Sequence, residues 1–330
     1  MTTAPTAGAT FKDRTVWLIL FGLLEIFGGL LFLLGMAFMV FLSTASGPWT
    51  EGTAAVSSPA LKPGMLVGAS LMYGSFAAIL MTLGVGSILG RRWARTLSLL
   101  MGWMALVGGA LGTAAMFMTW PHMTRTMERA AGGGPEVPSA ILLLPLAIVC
   151  FFMIMIPAAI VLFYRSANVR ATCEWKDPKP RWTDSRPLPI LALVLMLTWG
   201  VLTPLYLPMS GGLFLIYGVL LKGAVALFAA VAMAAASAWC AWRIWQLDVR
   251  GWWAALIFWL GLGAGGVLAF DPDKQRLLYE EMGIPPEQVE LLAEQALPMS
   301  AMIPIMTLGL LALLAFFLYC KQFFTGAPEA

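Results

Sequence analysis

Long apolar stretches alternate with short polar ones along the whole chain. Eight of the apolar stretches have the length of about twenty residues that carries a helix across a bilayer core. They are 17–42, 65–89, 97–120, 139–164, 188–208, 214–242, 252–270 and 301–319. Backbone groups in lipid find no water, so each stretch is expected to be helical throughout. The fifth is the weakest, because Pro204 and Pro208 crowd its far end. The pattern predicts an all-α polytopic integral membrane protein of eight transmembrane helices.

The apolar pattern is interrupted most sharply at 165–187, RSANVRATCEWKDPKPRWTDSRP. This bridge carries Arg165, Arg170, Lys176, Lys179, Arg181 and Arg186 together with Trp175 and Trp182. The Asp177-Pro178-Lys179-Pro180 run predicts an extended, turn-prone path. The bridge divides the chain into a unit at 1–164, a basic linker at 165–187, and a second unit at 188–330 with an outer loop at 271–298.

Charge placement sets the expected orientation. With both termini cytoplasmic, the inner segments hold Lys12, Arg14, Arg91, Arg92, Arg95, the six bridge cations, Arg243, Arg250 and Lys321. The outer segments hold only Lys62, Arg125, Arg129, Lys274 and Arg276. Fourteen against five predicts an inner-membrane protein with both termini inside. The apolar run at 17–42 is too long for a signal-peptide core, so it is expected to stay as an anchor despite Ser43-Thr44-Ala45. The outer loop at 43–63 reads as irregular, and 121–138 as a nearly neutral loop. The loop at 271–298 holds seven acids and two bases with apolar faces, and predicts short amphipathic helices broken at 283–286.

The two units share a plan. Tyr73-Gly74 in the second stretch answers to Lys222-Gly223 in the sixth. The Arg91–Arg95 turn answers to the 242–253 turn, and Gly108xxxGly112 to Gly261xxxGly265. Matched positions stay roughly 150–156 residues apart, which predicts an internal repeat. Four helices per unit return the chain to its starting side, so the two repeats are expected to be parallel.

Composition agrees with the pattern: 60% of the 330 residues are hydrophobic and 11% charged, against roughly a quarter charged in soluble domains. Cys150, Cys173, Cys240 and Cys320 form no CxxC pair, and His122 is the single histidine. Disulfides, bis-histidine haem ligation and histidine-rich metal sites are therefore not expected, nor is any cofactor. The chain has no phosphate-binding Gly-Lys-Ser/Thr loop, no nucleophile elbow, no HExxH and no paired intramembrane carboxylates. Its 21 methionines read as core filling. Its tryptophans cluster near predicted helix ends, as an interfacial belt requires.

Three sets of residues stand out. Glu25 and Lys222 are the ionisable side chains well inside predicted spans, tyrosines apart. A lone charge there is costly, so the two are expected to point inward and pair, structurally or as a proton or substrate site. A retinal Schiff base on Lys222 does not suit eight spans with a single carboxylate. Gly108, Gly112, Gly261 and Gly265, with a stripe of Gly218, Lys222, Ala226, Ala230, Ala234 and Ala238, predict close helix packing within the chain or between copies. Trp175, Lys176, Lys179, Arg181 and Trp182 suit anionic headgroups of the inner leaflet or a docked partner.

The expectation for function is a non-enzymatic structural or accessory subunit of a membrane assembly. The alternative is a transporter or carrier of a small or amphiphilic molecule between the two repeats. The expected partners are the bilayer and another membrane protein or a second copy; no feature points to nucleic acid.

Overall fold

The computed structural model describes residues 11–45, 63–130, 139–269, 271–282, 284, 286, 289–290, 292 and 299–324. The fold is all-helical, at 83% helix, apart from one short hairpin. Helices α1 (Thr15–Ala45), α2 (Pro63–Ile88), α3 (Arg92–Ala130) and α4 (Ser139–Arg165) precede the bridge. The bridge folds as α5 (Ala167–Lys176) and a 3-10 turn at Trp182–Asp184. Then come α6 (Leu188–Val201), α7 (Thr203–Tyr206), β1 (Leu213–Ile216), β2 (Val219–Lys222), α8 (Gly223–Trp245), α9 (Val249–Ala269), α10 (Pro272–Glu281) and α11 (Met299–Lys321). Seven of these are long and apolar enough to cross a membrane: α1 to α4, α8, α9 and α11. Their outward faces are studded with exposed Leu, Phe, Ile and Val, as lipid-facing helices require.

The structure corrects the expected elements at four places. The stretch at 188–208 is not one helix: α6 ends at Val201 after 14 residues, about 21 Å, and α7 follows as a single turn begun by Pro204. The stretch at 214–242 is helical only from Gly223. Before it, Phe214 pairs with Leu221 and Ile216 with Val219 in an antiparallel hairpin. The two-residue loop between them has φ of 50° at Tyr217 and 72° at Gly218, the twist that suits a tight hairpin. The bridge is more ordered than an extended linker, although 177–180 stays non-helical. Of the outer loop at 121–138, residues 121–130 continue α3; 131–138 lie outside the described residues, as does nearly all of the loop at 43–63. The amphipathic helix expected after 271 is present as α10, capped by the Asp271 carboxylate on the Asp273 amide at 3.1 Å.

The closest helix pair is α1 with α2. A Cβ built on Gly22 would stand 2.6 Å from the Gly84 carbonyl, and one on Gly84 would stand 2.5 Å from the Gly22 carbonyl. In lipid such contacts hold helices by dispersion, because lipid tails remove the hydrophobic drive. Helix α3 meets α4 through Gly102 and Gly109, the latter against the Met153 backbone. Gly108 and Gly112 face open space, so the expected packing role falls one residue away, on Gly109. The later core centres on Trp252, fully buried, whose indole N–H donates to the Phe317 carbonyl at 3.0 Å. Ile190, Leu193 and Leu197 of α6 fill it from the other side.

Replacing Gly84 with Leu forces α1 and α2 apart. It is expected to cost about 1–3 kcal/mol, read as an earlier unfolding midpoint in detergent. Gly108→Ala, with open space around it, is expected to stay within about 0.5 kcal/mol of the native chain.

Candidate functional site

One polar group from each of the first four helices meets inside their bundle. Glu25 comes from the middle of α1, Ser87 from the last turn of α2, Ser98 from the second turn of α3 and Tyr164 from the last turn of α4. All four are buried, at 7%, 1%, 2% and 0% exposure. The Tyr164 hydroxyl donates to Ser87 Oγ at 2.7 Å, and the Ser87 hydroxyl donates to Glu25 Oε2 at 3.0 Å. The Ser98 hydroxyl borders both Glu25 and Tyr164, yet it has no partner at full hydrogen-bonding geometry. Apolar side chains close the basic side of the cluster: Leu18, Leu99, Val161 and Val169 are buried around Tyr164. Phe21 stacks on Phe163 at 4.0 Å and meets Tyr164 edge-on at 6.0 Å.

Chemically this is a relay of hydroxyls ending on a carboxylate. Among the described residues no cation forms an ion pair with Glu25. The hydroxyls hold the carboxylate oxygen in place and link three helices, α1, α2 and α4, by side-chain bonds. The expected pairing of Glu25 with Lys222 is corrected. Lys222 stands at the end of β2, half-exposed, with its ammonium 2.5 Å from Glu281 at the end of α10. It belongs to a polar boundary, because the hairpin displaces it from the mid-helix position that a continuous helix would give it.

The other expected contacts are also re-sited. Gly261 and Gly265 face the Tyr217 ring of the hairpin loop instead of a helix. Gly218 is the second loop residue of that hairpin and no part of a helical stripe. Ala226 and Ala230 are fully buried, beneath Leu207 of the α7 region and Phe214 and Leu221 of the hairpin.

The bridge forms a second polar centre. Asp177 is 3% exposed and receives Arg181 through Nη2 at 2.8 Å and Nε at 3.0 Å. It also accepts from the Arg92 amide at 3.4 Å, with the Arg91 guanidinium at 4.0 Å. Arg92 itself reaches Glu174 at 3.5 Å and Asp184 at 3.2 Å. The bond from Arg181, with Arg92 and Arg91 behind it, holds the Asp177 carboxyl below the usual carboxylate range. Burial pushes the neighbouring Cys173 thiol up to about 11, which leaves it unreactive at neutral pH. Arg181 is thus committed inside the bridge, whereas Trp175, Lys179 and Trp182 are exposed. The Lys176 stem lies over Gly90.

Among the described residues no group of His, Cys, Asp and Glu gathers in a metal-holding cluster. No protein-family model, curated protein or solved structure matches this chain.

Glu25 and Lys222 attracted notice as charges in apolar runs. Ser87, Ser98 and Tyr164 did not, since single hydroxyls are common in membrane helices. Their signal is one polar side chain per helix, each near the basic end of its span, and it needs the helix rotations to be read.

Both centres can be tested by substitution. Ser87→Ala strips Glu25 and Tyr164 of their shared partner. It is expected to cost about 1–3 kcal/mol, the penalty for unsatisfied buried polar groups, in detergent unfolding. Glu25→Gln, which keeps an acceptor, should cost less than Glu25→Ala. For Asp177 the folded value lies below the unfolded one, near 3.9. Its contribution is therefore complete above about pH 4 and is lost as the pH falls through the folded value. Asp177→Asn is expected to unfold earlier than the native chain near pH 7, with the gap closing below about pH 4; a gap constant down to about pH 3 contradicts this.

Proposed function

We propose that this chain is a non-enzymatic multi-pass membrane protein serving as a structural or accessory subunit of a membrane assembly. In this reading it has two parallel four-helix units, 1–164 and 188–330, joined at 165–187, with both termini cytoplasmic. The eighth crossing is made by α6 with α7. Support comes from the path: α6 starts at the bridge, and α8 ends at Trp245, under Arg186 at 5.6 Å and Trp182 at 6.1 Å. A path that leaves the bridge and comes back to it through the long α8 supports a crossing in between. The repeat is supported by two turns of one geometry. The Arg91 amide donates to the Gly86 carbonyl at 2.9 Å around Gly90, at φ 65°. The Asp248 amide donates to the Arg243 carbonyl at 3.0 Å around Leu247, at φ 61°. Both are helix ends closed by a left-handed residue, and the pairs 91/248, 90/247 and 86/243 are each 157 apart by subtraction. The inside placement of the basic face rests on the fourteen-to-five charge count.

The observation that carries the accessory reading is the seam between the units. Where α2 meets α6 and α7, beside Trp199 and Met209, the space is about 30 Å³. A single water needs about 10–15 Å³ by the same measure, so the space suits a few waters at most and is too little for a solute. Above the seam Phe76 and Trp199 pack at 5.3 Å. The transport alternative keeps one point in its favour: the unpartnered Ser98 hydroxyl beside the Glu25 carboxylate offers a place for a proton or a water.

Extraction in a mild detergent separates the two. The accessory reading expects the chain to leave the membrane in stoichiometric company, and expects Trp175→Ala with Lys179→Gln to release that company without unfolding the chain. A lone chain in every mild detergent, together with proton flux in vesicles that Glu25→Gln abolishes, favours transport and ends the accessory reading.

A further inference from the structure

On the outward side of α2, where it turns into α3, the chain leaves an open groove of about 340 Å³. Its walls are Met81, Thr82, Val85 and Leu89 on α2, and Arg91 and Trp93 close it at the basic face. Val85 and Leu89 are 50% and 55% exposed. From Met81 to Leu89 the groove follows about 12 Å of helix, enough for the upper part of an acyl chain. Gly86 shapes it: a Cβ there would stand 2.9 Å from the Trp93 ring, so the glycine lets that indole lie against α2 as an end wall.

The cation at the mouth is under-used. The Arg91 side chain is 44% exposed, and its nearest carboxylate, Asp177, is 4.0 Å away. That carboxylate already receives two shorter bonds from Arg181 and one from the Arg92 amide. Most of the guanidinium's five donors are therefore free to face a ligand. The Lys176 stem crosses Gly90, next to Arg91, and brings a second cation to the same rim. An apolar slot with an arginine and a lysine at its polar end, flanked by an interfacial tryptophan, matches a molecule with an acyl tail and an anionic phosphate head.

We propose that this groove is a binding site for one anionic phospholipid, with its phosphate on Arg91 and an acyl chain along Met81, Val85 and Leu89. The site is separate from the exposed bridge residues Trp175 and Lys179, and it stands whether or not the chain has a protein partner.

Native mass spectrometry of the full chain in detergent micelles tests it, with phosphatidylglycerol and phosphatidylcholine of identical chains added in equal amounts. The native chain is expected to retain phosphatidylglycerol in preference. Arg91→Gln should reduce that preference about fivefold, the weight of one arginine near an anionic surface. Arg250→Gln, an exposed arginine of the same face, should leave it intact. Val85→Trp, which fills the slot, should lower retention of both lipids. Glycerophosphoglycerol, the head without tails, should fail to displace the bound lipid. Equal retention of the two lipids by the native chain overturns the proposal. So does unchanged preference in Arg91→Gln, unchanged retention in Val85→Trp, or displacement by the tail-less head. The Val85→Trp arm stands even if Arg91→Gln disturbs the bridge.

Discussion

A helix begins with amides that have no acceptor in the helix itself, and a helix entering lipid must find acceptors while it is still at the boundary. The bridge supplies one for α3 and ties down the chain just before α1, whose own first amide is met by Asp13. Asn168 accepts from the Lys12 amide at 3.2 Å and Thr172 from the Arg14 amide at 3.1 Å, at the entrance to α1. Asp177, just past the end of α5, accepts from the first amide of α3. Asp177 is itself fixed by Arg181, four residues on, and Arg92 reaches past it to Asp184 in the 3-10 turn. One ten-residue helix and its following turn thus set where α1 and α3 start. They also set where α6 starts, since Pro187 caps it directly after the turn. Part of the basic charge that a topology count reads as a marker is thus paired with Glu174, Asp177 and Asp184.

With the start of α1 fixed, α1 and α2 close on each other through Gly22 and Gly84, and the space left for side chains inside the first four helices becomes small. That explains the company Glu25 keeps. Short hydroxyls fit beside a helix pair in backbone contact, and Ser87 and Ser98 supply them. Ser87 lies three residues before Gly90, the left-handed residue that ends α2 and turns the chain into α3. Tyr164 lies one residue before the end of α4. Both come from helix ends at the basic face, so the hydroxyls approach the carboxylate from that side, inside the apolar shell, and Phe21 stacks on Phe163 between α1 and α4.

The sequence revealed the membrane class and the outlines of the long helices, because a twenty-residue apolar run leaves the backbone few options. It also revealed the weak point at Pro204 and, from apolar faces among its acids, the helix after Asp271. Helix rotation was not legible. Gly108 and Gly109 look equivalent in the chain, and only the packing selects Gly109. The hairpin was missed for a different reason: a continuous apolar run reads the same as a buried strand or a helix. Its punctuation was nonetheless present. Gly211, Gly212, Gly218 and Gly223 all take positive φ, and their spacing cuts the run into two four-residue strands. The pairing of Glu25 with Lys222 failed with that one assignment, since only a continuous helix puts Lys222 at depth.

The hairpin also accounts for two features that looked unrelated. Strand edges expose amides and carbonyls that lipid cannot satisfy, so a hairpin in such a protein belongs at the polar boundary or against protein. Lys222 with Glu281 at one end, and Lys274 beside Gly218 at the other, supply that polar setting. Tyr217, a non-glycine residue at φ 50°, carries strain on the order of 1–2 kcal/mol. Its side chain lies along the bare backbone of α9, where a Cβ on Gly261 would stand 2.9 Å from the hydroxyl and one on Gly265 3.0 Å from the ring. A larger residue at either glycine would push the ring away and leave the strained loop without its contact. The small-residue spacing in α9 and the apolar run before α8, each read alone as a mark of helix packing, are therefore the two sides of a single contact. The same hairpin packs on α8 as well, where Phe214 and Leu221 cover Ala226 and Ala230.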